Sequence, residues 1–327
     1  MPTPDIPLLD VSRWRTGDGA SRAALAAQLD RAMRDSGFFL VHGHGVDPAL
    51  RDGDRAAART FFDLPAAAKA PYRTAVGGRG WIARGDEANA YYGEDADPDL
   101  ADLKETLTFG REHPGGATFA TDAGEAFAPN VYPVEVAGLE ELTTRWMAAA
   151  RALYDDLLGL LAAALGLPER YFADRARHSP HTCNINRYPP LTEVGPARTG
   201  QYRVAPHTDW GMLTILDRQP GYGGLQVQTR AGTWADAPFV EGAFTVNIAD
   251  LLARWTGDRW RSTRHRVLAP SADAPAEELI SLIMFMEPDL DQVVEPFAPP
   301  VGGGAHYAPV RAADYLAQRA QAATVAS

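Results

Sequence analysis

Beyond Ser179 the chain breaks into short apolar runs, CNINRY, MLTILD, GLQVQT, AFTVNI, HRVLAP and ISLIMFM, parted by Gly, Pro and Asp. Runs this short, bounded by turn-forming residues, are strands, and several in succession predict a β-sandwich or barrel. The first half reads differently. Residues 6–12 form a short opening strand, and 20–36 a helix with Leu25, Leu29 and Met33 four apart and Gly37 stopping it. Phe38 to Val41 is a buried strand that turns through HGHGV. A second helix takes Asp47 as N-cap and Pro48 in its first turn, and runs to about Phe62. Residues 72–92 and 112–133 lack a period and read as long loops. The longest helix, about 137–165, carries Leu139, Trp146, Leu153, Leu157 and Leu161 on one stripe and stops at Gly166 and Pro168. Residues 312–322 close the chain as a short helix. The expected organisation is a helical and mixed region over 1–178, a β-core over 179–310 and a helix and tail over 311–327, all one structural unit.

Composition narrows the function classes. The 327 residues carry 42 acidic and 31 basic side chains for a net charge of −11. Without a basic run there is no electrostatic footprint for DNA or RNA. A single cysteine, Cys183, excludes an internal disulfide and a thiolate metal cluster, and reads as a small buried hydrophobe. The start, MPTPDIPLLD, has no basic region leading an apolar stretch, and the most apolar segment, 157–167, is far short of the ~20 residues that span a bilayer. A soluble cytoplasmic protein, without a nucleic-acid or membrane partner, is the expectation.

The segment VAPHTDWGMLTIL sets His207 and Asp209 two apart, and on a strand such residues face the same side. His265, in STRHRVLAP, lies 56 positions after Asp209 on a separate predicted strand. Two histidines and one carboxylate on one side of a metal leave open positions, the arrangement of non-haem Fe(II) oxygenases. The bare pattern is weak, because a chain with eight histidines can contain it by chance.

Its surroundings are more specific. HTDWGMLTIL, GGLQVQTRAGTWADAP and FTVNIADLLARWTGDRWRSTRHRV resemble successive segments of the isopenicillin N synthase-like family of iron(II)/2-oxoglutarate oxygenases. IPLLDVS, SGFFLVHGHGV, FFDLP and LKETLTFG are similar to its N-terminal region in the same order. The resemblance covers roughly residues 5–320. It implies a double-stranded β-helix, or jelly roll, with Fe(II) at His207, Asp209 and His265, and with 2-oxoglutarate and O2 as cosubstrates. Asn186 and Tyr188, in NRYPP, match the family's N-x-Y-P-P element and would contact the cosubstrate, with Arg187 on the opposite face.

One departure stands out. The family's R-x-S pair, which holds the distal carboxylate of 2-oxoglutarate, aligns with Leu279 and Ser281. Leucine offers that carboxylate no donor. Arg203, four before His207 and on its face in a regular strand, is the expected replacement. Arg266, beside His265, is the second candidate. The leading reading is therefore a 2-oxoglutarate-dependent oxygenase that oxidises a C–H bond of a small molecule by hydroxylation, desaturation or cyclisation. An iron oxidase that needs no 2-oxoglutarate and a non-catalytic jelly-roll binding protein are the alternatives. Among the other polar residues, His42 and His44 read as structural, as do His178 and His181, with His181 also placed to reach the pocket mouth. His113 and His306 carry no signal. Trp210 alternates away from the metal side into the core, Lys104-Glu105 suits either a substrate entrance or a solvated pair, and 77–92 is the place for a lid.

Overall fold

The computed structural model describes residues 5–88, 100–112, 124–221, 223–270 and 274–323. Its strands are β1 Leu8–Asp10, β2 Phe38–His42, β3 Gly80–Ile82, β4 Glu105–Gly110, β5 His181–Tyr188, β6 Val204–His207, β7 Leu213–Asp217, β8 Leu225–Gln228, β9 Trp234–Asp236, β10 Phe244–Ile248, β11 His265–Val267, β12 Leu279–Met286 and a small pair, β13 Val293–Val294 and β14 Val310–Arg311. An eight-stranded sheet runs β1-β2-β10-β7-β12-β5-β4-β3, and a four-stranded sheet runs β6-β11-β8-β9. All neighbours are antiparallel except β1 and β2. This is the jelly-roll core with flanking helices that the family resemblance implied, in agreement with the run of short strands.

Period-two alternation sorts the large sheet into two faces. Cys183, Ile185, Ile215, Val246, Ile280, Leu282 and Met284 point into the main core. That core is closed by α1 Ser12–Thr16, α2 Gly19–Asp35, α3 Pro48–Phe62 and, beyond the short α4 Ala66–Lys69, by α5 Leu139–Ala164. Leu153, Leu157, Leu160 and Leu161 of α5 are almost wholly buried. Each contributes roughly 1.5–3 kcal/mol of transfer free energy, so packing against the sheet rather than propensity holds α5 in place. The residues between, Asn184, Asn186, Tyr188, Thr214, Asn247 and Ile283, point the other way and line a cavity closed by the small sheet. The remaining α-helices among the described residues are α6 Leu191–Val194, α7 Asp250–Trp255 and α8 Ala312–Ala323.

Local signals place the helices well. Asp18 caps α2 by accepting from the Ser21 amide, and Asp47 caps α3 by accepting from the Ala49 amide. Two expectations need correction. The β-core is not confined to 179–310: β1 and β2, read as strands, join the large sheet, and so do β3 and β4, which were not. The aperiodic stretch 72–92 contains β3, whose three residues are too few to show a period. Its last four positions, with Tyr91 and Tyr92, and also His113, lie outside the described residues.

Candidate metal centre

Antiparallel pairing of β6 with β11 sets His207 directly opposite His265. The two rings lie 4.3 Å apart, and one ligand atom from each of His207, His265 and Asp209 falls within 4.8 Å of the others. Both Nδ1 atoms meet backbone oxygens, His207 at Ala205 (2.7 Å) and His265 at Thr263 (3.1 Å). With Nδ1 so occupied, each imidazole offers Nε2 to the centre, and Nε2 is 3.6 Å from Asp209 Oδ1 for His207 and 3.8 Å from Asp209 Oδ2 for His265. Phe38 packs edge-on against His265.

Asp209 does not reach the site by alternation along a strand, because β6 ends at His207. Its backbone is instead tied down by α7, whose first amides at Asp250, Leu251 and Leu252 donate to the carbonyls of Asp209, Trp210 and Gly211. Thr214 Oγ1 and Asn247 Nδ2 both donate to Asp209 Oδ2, at 2.5 and 2.7 Å. That fixes the rotamer and leaves Oδ1 free of these two bonds, on the side of His207 Nε2. Burial opposes charge on Asp209, but His265, His207 and Asn247 outweigh it and hold the carboxyl well below the usual range. Burial and the neighbouring His207 push His265 down to about 4. Burial also opposes charge on His207, but the Asp209 carboxylate prevails and raises its pKa. An ionised carboxylate and a neutral imidazole facing an acidic partner make a donor set that fits a divalent metal taking nitrogen and oxygen ligands.

Asn186 and Tyr188 point into the cavity from β5, and Arg187 faces the helix side, where it binds Glu105, Glu193 and Glu278. Ser281 stands opposite Asn186 on β12, buried beside the Tyr188 hydroxyl. Leu279 stands opposite Tyr188 and packs with it and Val204. Arg203 is not brought to the cavity. From His265 to Val267 two steps of β11 face three steps of β6, from His207 to Val204, so β6 carries a bulge. The bulge gives Val204 the inward place that regular alternation assigns to Arg203. Arg203 is instead 1% exposed and donates to Glu277, through Nη1 to the carboxylate at 3.1 Å and through Nη2 to the backbone carbonyl at 3.2 Å. Arg266 points outward to Gln226 and Tyr202 and lies over Trp234.

Several cavity residues had no reading or a different one from sequence. Trp210 lines the cavity, because the strand alternation that sent it to the core stops three residues earlier. Lys104 and Glu105 are both buried, not solvated: Lys104 lines the cavity and pairs with Glu87, whereas Glu105 points the other way to Lys69 and Arg187. Glu287 lines the cavity near Asp209. Its Oε2 has no hydrogen-bond partner among the described residues, and burial with the Asp209 charge pushes its pKa up to about 8. Room for it comes from Gly211, where a Cβ would collide with the Glu287 carboxyl. Asn247 was detectable, since it follows a buried run two residues before a helix cap. His44 stacks on Phe244 and bonds the Gly242 carbonyl, as a structural residue would. His181 faces away from the cavity, towards Arg111 and Arg151.

The sequence model of the N-terminal region named for the non-haem dioxygenase in morphine synthesis matches residues 6–135, and that of the 2OG-Fe(II) oxygenase superfamily matches 180–288. A validamycin A dioxygenase of Streptomyces hygroscopicus subsp. limoneus is 40% identical over 309 residues, 93% of this chain and 82% of that one. The chain belongs to the 2OG-Fe(II) oxygenase superfamily. Gibberellin 20 oxidase 2 of Oryza sativa is 32% identical over 321 residues, 95% of this chain and 75% of that protein. The crystal structure of a full-length Neurospora crassa protein in complex with alpha-KG and thymine superposes with a TM-score of 0.82 at 26% identity, covering 97% of this chain and 96% of that one. As a member of this superfamily the protein is an Fe(II)-dependent oxidoreductase that uses 2-oxoglutarate and O2. Neither the 2-oxoglutarate-independent oxidase nor the non-catalytic jelly roll gains support. No helix among the described residues is long and apolar enough to cross a membrane.

Proposed function

We propose that His207, Asp209 and His265 hold the iron, and that Asn186, Tyr188 and Ser281 form the cosubstrate side of a cavity in which a small polar molecule is oxidised at a C–H bond. The observation that carries this is the register pair His207–His265 with both Nδ1 atoms occupied and the Asp209 carboxylate within 3.8 Å of both Nε2 atoms. When bound, iron would let O2 serve as the oxidant of an unactivated C–H bond, with 2-oxoglutarate giving up two electrons and leaving as succinate and carbon dioxide. The protein contributes placement and dryness. Thr214 and Asn247 hold the carboxylate still, and Leu216, Ile283, Phe285 and Trp210 wall the cavity against water. Asn184 and Glu287, which also line the cavity, suit a substrate rich in hydrogen-bonding groups. The similarity to a validamycin A dioxygenase makes validamycin A the first compound to try.

Anaerobic reconstitution with Fe(II), followed by 2-oxoglutarate and O2, should yield succinate. His207→Ala and Asp209→Ala should lose bound iron, measured by plasma emission, while circular dichroism stays unchanged. Iron retained at wild-type affinity in either variant would remove that residue from the centre.

A further inference from the structure

Two rows of side chains cross the inner face of the large sheet through β12, β5 and β4. Pairing puts Ser281, Asn186 and Thr106 in one row. The same registers, continued one step beyond Glu105, put Leu279, Tyr188 and Lys104 in the next. The family pattern places its arginine at the position of Leu279, at one end of the second row. Here that end is apolar and the other end is a lysine. We propose that Lys104 supplies the cation that position 279 lacks, and holds the distal carboxylate of 2-oxoglutarate from the β4 side of Tyr188.

Neighbouring strands lie roughly 4.8 Å apart, so positions 279 and 104 flank Tyr188 at similar distances, within reach of a four-carbon side chain. The link between the rows is continuous. Lys104 Nζ lies 3.5 Å from Thr106 Oγ1, Thr106 Oγ1 donates to Asn186 Oδ1 at 2.9 Å, and Asn186 Nδ2 donates to the Tyr188 hydroxyl at 3.4 Å. An ammonium has three N–H donors. Glu87 and Thr106 take two, which leaves one for a ligand. Burial opposes the charge on Lys104, but Glu87 and Asp102 outweigh it, so the side chain is a cation at neutral pH. The other candidates are engaged elsewhere. Arg203 sits behind the Tyr188 ring on Glu277, and Arg266 lies on the outer surface of β11. Among the described residues Lys104 is the one lysine or arginine on the cavity wall. A lysine binds a carboxylate as a point charge and not as a two-pronged fork, so this anchor is looser than an arginine would be.

The inference rests on the 2-oxoglutarate reading above, and the test separates the two. Anaerobic Fe(II) protein is titrated with 2-oxoglutarate and, separately, with 2-oxobutyrate, which keeps the metal-chelating end but lacks the distal carboxylate. The visible metal-to-ligand charge-transfer band reports binding of either without turnover. Wild type should prefer 2-oxoglutarate. Lys104→Gln, which keeps side-chain hydrogen bonding but removes the charge, should lose roughly 10- to 100-fold of that preference while its affinity for 2-oxobutyrate holds. Lys104→Met should behave alike. If both ligands weaken together, or if the preference survives in both variants, the lysine is structural and the inference falls. A wild type that shows the band but no preference also overturns it. A wild type with no band for either compound overturns the underlying reading instead.

Discussion

At the scale of single residues the proposed metal centre depends on side chains outside the His207–Asp209–His265 set. Asp209 would rotate freely on its turn were Oδ2 not held by Thr214 and Asn247. Asn247 also contributes a positive dipole that helps keep the carboxylate ionised. Such outer partners typically weigh 10- to 100-fold in metal affinity. Asn247→Ala should therefore weaken Fe(II) binding by about that factor, read by competition with a chelator under anaerobic conditions. Its melting temperature should stay close to wild type, because Thr214 still satisfies the buried oxygen. An unaltered iron affinity would mean that Thr214 alone orients Asp209. Cys183, by contrast, has no part in the chemistry: it is fully buried, and burial raises its thiol pKa well above the ordinary value.

Elements bring these residues together, and the elements differ in how far the sequence announces them. Helices with caps and a long apolar stripe are legible, and so is the alternation of Asn184, Asn186 and Tyr188 on β5, because both are periodic signals. Irregularities are not periodic. The bulge in β6 displaced Arg203 from the cavity, and the one hint was Pro206, since proline inside a sheet is confined to edges and bulges. Lys104 was equally hidden, because its row depends on a β4–β5 pairing across about 80 residues of chain. Gly37 shows an element junction with consequences for the site. It ends α2 with φ +72°, and a Cβ there would collide with the Arg261 carbonyl oxygen, just before Thr263, which holds His265 Nδ1. Left-handed strain and the clash together should make Gly37→Ala roughly 2–4 kcal/mol less stable in denaturant unfolding. A loss well below 1 kcal/mol would show that the 261–263 segment yields easily.

On the scale of the whole molecule, the cavity wall is assembled from both halves of the chain, with Lys104 contributed by the first and Tyr188, Asn247 and His265 by the second. The large sheet that joins them depends on the helices packed on its other face, and one contact in that layer is sensitive to pH. Asp54 on α3 is fully buried and accepts from Thr143 of α5 at 2.7 Å, but its second oxygen, Oδ2, has no hydrogen-bond partner among the described residues. Burial raises its pKa to about 7, against the weaker opposing pull of the Thr143 hydrogen bond and the Arg55 charge. The unfolded chain titrates near the ordinary value of 3.8. A folded pKa above the unfolded one means that the folded state binds the extra proton between these limits. Stability from this group is thus complete below pH 4, falls as pH rises, and is gone once pH passes about 7. The slope within the window is roughly 1 kcal/mol or more per pH unit. Asp54→Asn keeps the oxygen that faces Thr143 and cannot ionise. The stability difference between wild type and this variant, measured by urea unfolding from pH 4.5 to 8, should move steadily in favour of the variant up to about pH 7 and level off above it. Parallel profiles for the two proteins would show that Asp54 is ionised in the fold throughout, with its charge balanced by Arg55.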